Sequence, residues 1–309
     1  MRKIISILIV FCCIFQNVQA QKISEADLKE IQSIEDTLMV YSHMIINDSI
    51  DENRFASTKL FIPMLVKALK KKNSFEYKFD KLKHVSIQYP QDSTFRVFTL
   101  HLFVNNDEYH YFGAIQMNTE DLNLIPLIDR KDQIQDIEQQ QTDNKNWYGV
   151  VYYNVLDFDT PEGKKYLLFG YDGHSFFDRR KIVDVLSIEN NKATFGHPVF
   201  IKKEKGRIIE EKKRIFLEFS ARASVKLNYD LIEEAIVYDN LISIGPLGPN
   251  EKNSFVPDGS YQGYKLSGEE GYWEHISKMF CDCPRVDGDA PRPSPVLDNE
   301  DKKDLFGND

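Results

Sequence analysis

The sequence predicts an α+β protein, with a short N-terminal helical part followed by mostly antiparallel β-sheet, meander or sandwich-like. Three observations carry this. Apolar residues recur at helical spacing only between about residues 24 and 72. From about Lys83 onward, β-branched and aromatic residues gather in short runs. Turn residues separate those runs at regular intervals.

Ser24-Glu25-Ala26-Asp27 supplies an N-cap serine and acidic residues for a first helical turn. Leu28, Ile31, Leu38, Tyr41 and Ile45 then mark one amphipathic helix ending near Ile46. A second helical stretch runs from about Glu52 to Lys72, with Phe55, Leu60, Met64, Leu65, Ala68 and Leu69 on one side. Pro63 lacks an amide hydrogen, so a kink or two short helices are expected there.

"FRVFTLHLFV" and "YHYFGAIQM" flank Asn105-Asn106-Asp107 and read as a hairpin. Both faces of the first arm are apolar, which predicts a strand covered on two sides. A short strand follows between Leu122 and Ile128. The glutamine-rich segment from Asp129 to Asn146 then reads as a surface helix or a loose connection, without functional residues. Six strand-like segments fill the second half, separated by Pro161-Glu162-Gly163, Asp172-Gly173, Asn190-Asn191 and Lys205-Gly206. His174 and His197 each stand beside such a turn. The implied organisation is a signal peptide at 1–20, a helical region at 21–80, a β-rich domain at 81–280 and a disordered acidic, proline-containing tail at 281–309.

Arg2 and Lys3, the apolar run Ile4 to Phe15 and Val18-Gln19-Ala20 have the order of a secretory leader. The expected location is therefore exported, periplasmic or extracellular. No later segment has the ~18 apolar residues a membrane helix needs, so no membrane span is expected. Removing Arg2 and Lys3 with the leader takes the formal charge from -9 to -11, which argues against nucleic acid as a partner. Cys281 and Cys283, two apart before a proline-rich tail, form no disulfide framework, and no cofactor is implied.

The series Trp147-Tyr148-Gly149, Leu167-Leu168-Phe169-Gly170-Tyr171-Asp172-Gly173, Lys181-Ile182-Val183-Asp184-Val185-Leu186 and Phe195-Gly196 resembles a group of uncharacterised exported proteins of Bacteroidetes. The resemblance spans roughly residues 75 to 264 and implies compartment, with no known activity. That group carries Trp where this chain has Tyr171, and His where it has Asn240.

Two functional readings follow. The first is a non-enzymatic binding or structural module of the cell envelope, whose partner is a protein or a glycan. Tyr148, Tyr171 and Trp273 are its candidate binding residues, because aromatic rings give contact area at low entropic cost. The alternative is a hydrolase acting on an envelope glycan or peptide polymer. It requires paired carboxylates converging in one cleft. Asp172, Asp184 and Asp239 are the candidate catalytic residues, with Glu218 and Asp258 as further carboxylates, His174 or His197 as helper and Arg179 or Arg180 as a neighbour for Asp184. Asp157, Asp159 and Glu162 offer alternating oxygens before a turn and are the candidate metal ligands, although they do not match the twelve-residue calcium loop.

Overall fold

The computed structural model describes residues 22–245 and 254–279. The leader, Cys281, Cys283 and the tail lie outside the described residues. Helix α1 (Glu25–Asn47) begins as expected, with Ser24 Oγ accepting the Asp27 amide at 3.1 Å. Helix α2 (Asp51–Leu69) runs through Pro63 without a break, so of the two expected outcomes the pair of short helices does not occur. Pro63 and Lys59, whose carbonyl loses its amide partner, are both exposed, so water can take that bond. Leu60 also leaves the expected apolar stripe and is 52% exposed.

Sheet 1 has the order β1 (Ser86–Gln88), β2 (Phe95–Asn105), β3 (Glu108–Met117), β4 (Leu124–Ile128). Strand β2 is buried on two sides, as its sequence predicts. Phe98, Leu100 and Leu102 pack under α1 and α2, so the helical region shares its core with the sheet. Phe95 and Val97 face the other way, onto sheet 2.

Sheet 2 is built from β5 (Thr142–Asp143), β6 (Val151–Thr160), β7 (Gly163–Asp172), β8 (Asp178–Glu189) and β9 (Lys192–Phe195), in the order β5-β9-β8-β7-β6. Asn190 and Asn191 both take left-handed backbone (φ 50 and 60), which a two-residue hairpin requires. Sheet 3 contains β10 (Phe200–Glu204) and β11 (Arg207–Lys212). The chain then returns to sheet 2, where β12 (Ile215–Ser220) pairs with β8. Strands β13 (Leu227–Asp230), β14 (Ala235–Ser243), β15 (Phe255–Ser267) and β16 (Tyr272–Ile276) complete sheet 3. This detour makes β16 the neighbour of β10 in parallel, with Phe200 opposite Trp273.

The layers are thus helices, sheet 1, sheet 2 and sheet 3, with one apolar core at each junction. The helical part is a single cover on a β-rich protein, which narrows the α+β expectation. The segment from Asp129 to Asn146 is neither a surface helix nor loose. Its carbonyls at Ile137 and Gln140 accept hydrogen bonds from buried Arg214, and its Glu138 carbonyl accepts the Lys213 amide.

Candidate functional site

A dense polar cluster lies where β7 ends, between sheets 1 and 2. Asp172 is fully buried there. The Tyr111 hydroxyl, from β3, donates to its Oδ1 at 2.8 Å, and the Tyr148 hydroxyl donates to Oδ2 at 3.0 Å. Lys131 Nζ and the His174 amide also reach Oδ1, at 3.1 and 2.9 Å. Burial opposes ionisation of Asp172, but the Lys131 ammonium and these donors outweigh it and hold the carboxyl below its ordinary value.

A second carboxylate stands behind the first. Asp129 accepts the Tyr111, Lys131 and Gly149 amides at 3.3, 3.1 and 3.1 Å, while burial holds its pKa above the ordinary value. Gly149 is required by this cradle, because a Cβ there would lie 2.3 Å from Asp129 Cγ. Gly149→Ala is expected to displace Asp129 and cost about 2–3 kcal/mol, read as a lower unfolding midpoint in denaturant. An unchanged midpoint would show that the cradle is not structural.

Around Asp172 stand groups with partial access to solvent. Arg180 Nη2 pairs with Glu218 Oε2 at 2.6 Å, and its Nη1 donates to the Tyr148 hydroxyl at 3.2 Å. His174 Nε2 is 3.9 Å from the same Glu218 oxygen. Burial, reinforced by Arg180, lowers the His174 pKa and favours neutral imidazole at neutral pH. A cleft of about 560 Å³ opens alongside, lined by Tyr109, Tyr111, Asp129 and Lys131 among others.

The Asp172-Gly173 pair, read as a tight turn, instead opens a five-residue loop to β8. The strained residue is His174, at φ 47, and the bond from its amide to Asp172 supports that conformation. Arg179 Nη1 donates to the Gly173 and Asp178 carbonyls at 3.0 Å each, and to that of Ser175. The Phe176 amide is held by Asp107 Oδ1 at 3.2 Å, and the Phe177 carbonyl accepts the Ala221 amide at 2.7 Å. This pinned loop leaves Phe176 and Phe177 56% and 54% exposed, with perpendicular rings 5.1 Å apart.

The candidate carboxylates do not converge. Asp184 pairs across β8 and β7 with Leu168, four residues from Asp172 along β7. At ~3.3 Å per residue that is about 13 Å, beyond the ~5–9.5 Å that separates paired glycosidase carboxylates. Asp184 bonds Arg214 at 2.8 Å, correcting the expected Arg179 or Arg180 neighbour; Arg180 stands four residues back along the strand. Asp239, on β14 in sheet 3, accepts the Lys226 amide. His197 lies apart beside Thr194, where burial, then Lys165, depresses its pKa to about 4.

The aromatic candidates divide as well. Trp273 is 1% exposed in the core between sheets 2 and 3, so it offers no surface. Tyr148 is 3% exposed and serves Asp172. Tyr171 is 36% exposed. Asp157 pairs with Lys164 at 3.3 Å, whereas Asp159 and Glu162 are exposed. No cluster of three or more His, Cys, Asp or Glu with metal-holding geometry occurs among the described residues.

The structure therefore gathers Asp172, His174, Glu218 and Tyr148, and adds Asp129, Lys131, Tyr111 and Arg180. Lys131 and Asp129 were missed because they fall in the glutamine-rich segment, which has no periodic pattern to place them. Comparison with protein-family models, curated proteins and solved structures returned no match.

Proposed function

We propose that the chain is an exported binding module of the cell envelope, and that the loop between β7 and β8 is its contact surface for a protein partner. One observation carries this reading: two adjacent phenylalanines stand more than half exposed on a loop whose backbone is fixed from both sides. A pinned loop loses little freedom on binding, so burial of its rings is retained as affinity. With about half of each ring still exposed, full cover contributes about 1–1.5 kcal/mol per ring.

The perpendicular rings present edges as well as faces and make no flat platform for a sugar. Apolar protein side chains fit that shape better. Asp107 anchors the loop from the β2–β3 turn, so the complementary partner has an apolar pocket that receives the two rings. The candidate carboxylates favour this reading over hydrolysis: Asp172 is saturated with donors, Asp184 lies about 13 Å from it along sheet 2, and Asp239 sits in sheet 3.

The test places a photo-crosslinking side chain at Phe176 of the full chain, in the cells that make it. One discrete protein adduct is expected, absent when Phe177→Asp is added. The purified adduct partner should bind the unmodified chain at least about tenfold more tightly than the Phe177→Asp chain. No adduct, or the same adduct from a probe at exposed Leu60 on α2, would sink the proposal. Adducts to glycan alone would return the partner to carbohydrate.

A further inference from the structure

Strand β3 outruns its outer neighbour. Strand β4 pairs with it from Gln116 back to Phe112, opposite Ile128, and then leaves the sheet, so residues 108–111 keep an open edge. The Tyr111 amide turns to that edge, where Asp129 Oδ2 accepts it at 3.3 Å. Main-chain groups alternate along a strand, so the Tyr109 N–H and C=O and the Tyr111 C=O point the same way. Among the described residues none of the three enters a turn, loop or side-chain hydrogen bond, and β4 no longer reaches them. Beside them lies the cleft of about 560 Å³, lined also by Leu127, Ile128 and Arg130.

We infer that this open edge of β3 takes an extended segment of a protein partner by strand addition, in line with β4. The inference rests on the protein-partner reading above and names how that partner is held. In the antiparallel direction of β4, one partner residue lies opposite Tyr109 and exchanges both main-chain hydrogen bonds with it. A second, two residues earlier and about 6.8 Å away, donates to the Tyr111 carbonyl, while Asp129 keeps the Tyr111 amide. The residue between them turns its side chain to the face of Phe112 and Ile128, which calls for an apolar residue there.

Many sheets end in an open edge, and two features set this one apart. It borders a cleft whose volume lies in the range that encloses a ligand. It is also continuous with the aromatic loop. Asp107, in the turn before β3, holds the Phe176 amide at 3.2 Å. The Tyr109 ring packs against Gly173, where a Cβ would come within 3.0 Å of it. A partner seated on Phe176 and Phe177 is thus carried to the start of β3. Main-chain pairing there adds affinity with little demand on sequence, and the two rings supply selectivity.

The test selects random peptides displayed on phage against the purified full chain. One selected peptide is synthesised and its amides are N-methylated one at a time. A loss of binding of at least about tenfold is expected at two amides two residues apart, with the amide between them tolerant. Side-chain docking alone would show no such alternation. Ile128→Lys places a charge in the cleft at a position 39% exposed. It should weaken the same peptide at least about tenfold and leave the unfolding midpoint unchanged. Exchange of the Tyr109 amide hydrogen should slow when the peptide binds. No selected peptide, uniform tolerance of N-methylation, or unchanged affinity in the Ile128→Lys chain overturns strand addition, while a discrete Phe176 adduct would still stand. Alternating losses without that adduct would sink the loop contact and keep the groove.

Discussion

Asp184→Ala is expected to lower the stability of the chain by roughly 3–5 kcal/mol, a fall in unfolding midpoint on the order of 10 °C. Strand β8 changes outer neighbour at this residue. Strand β9 pairs with it as far as Leu186 opposite Phe195, and β12 takes over at Val183 opposite Ile215. The seam between them is filled by Asp184 and Arg214, 1% and 0% exposed. Removing the carboxylate leaves a buried guanidinium without its counter-charge, and that uncompensated charge dominates the loss. Arg214 also donates to the Ile137 and Gln140 carbonyls and to Thr142 Oγ1, so Arg214→Met should cost at least as much. The double variant should be less damaged than the two losses added together, by about 2 kcal/mol, because the second change removes the orphan left by the first. Strict additivity in denaturant titrations would mean that the two charges are not energetically paired.

Asp172→Asn is expected to cost at least about 3 kcal/mol at neutral pH and to reduce the steepness of acid unfolding. A neutral amide removes the charge opposite Lys131 and leaves one oxygen for the donors, so the Tyr148 hydroxyl must turn round to accept. The folded pKa lies below the ordinary 3.8, with burial opposing the shift and Lys131 and the donors prevailing. A depressed folded pKa contributes stability that is present above the unfolded value and is lost as pH falls through the folded one. The window is thus below pH 3.8, where the unmodified chain takes up a proton on unfolding that the variant does not. Its stability should fall with acidification by up to ~1.4 kcal/mol per pH unit more than that of the variant. Equal slopes in acid would remove Asp172 from that role.

Asp184 has the opposite sign. Burial is its largest influence and raises its pKa despite Arg214, so ionising it in the fold is harder than in the unfolded chain. Its linkage favours the fold at pH below the unfolded value and weakens it as pH rises through the folded one. Two buried aspartates with opposite pH signatures show that burial alone does not set the state of a carboxylate. The donors separate them: both oxygens of Asp172 accept hydrogen bonds, whereas Asp184 Oδ2 accepts none although its cation is the nearer.

The local plan of the molecule was legible in its residues. Ser24 caps the first helix, Asn190-Asn191 and Lys205-Gly206 turn hairpins, and the two apolar faces of β2 predicted its place between layers. These signals are legible because they depend on neighbours within a few residues, where spacing and backbone preference act directly. Pro63 does not divide its helix, because a missing amide matters little when the carbonyl it strands faces water. The Asp172-Gly173 pair misled because the left-handed residue is His174, held by a carboxylate and not by glycine.

The sequence by itself determined the helices, the hairpins, the acidic charge and the export signal pattern. Only the tertiary structure decided the stacking of three sheets, the parallel pairing of β10 with β16 and the partners of buried Asp172, Asp184 and Arg214. Arg214 meets Asp184 from 30 residues away, and Lys131 meets Asp172 from 41. A buried charge must find a counter-charge wherever the layers bring one, and periodicity within a strand holds no information about which strand the fold will lay beside it.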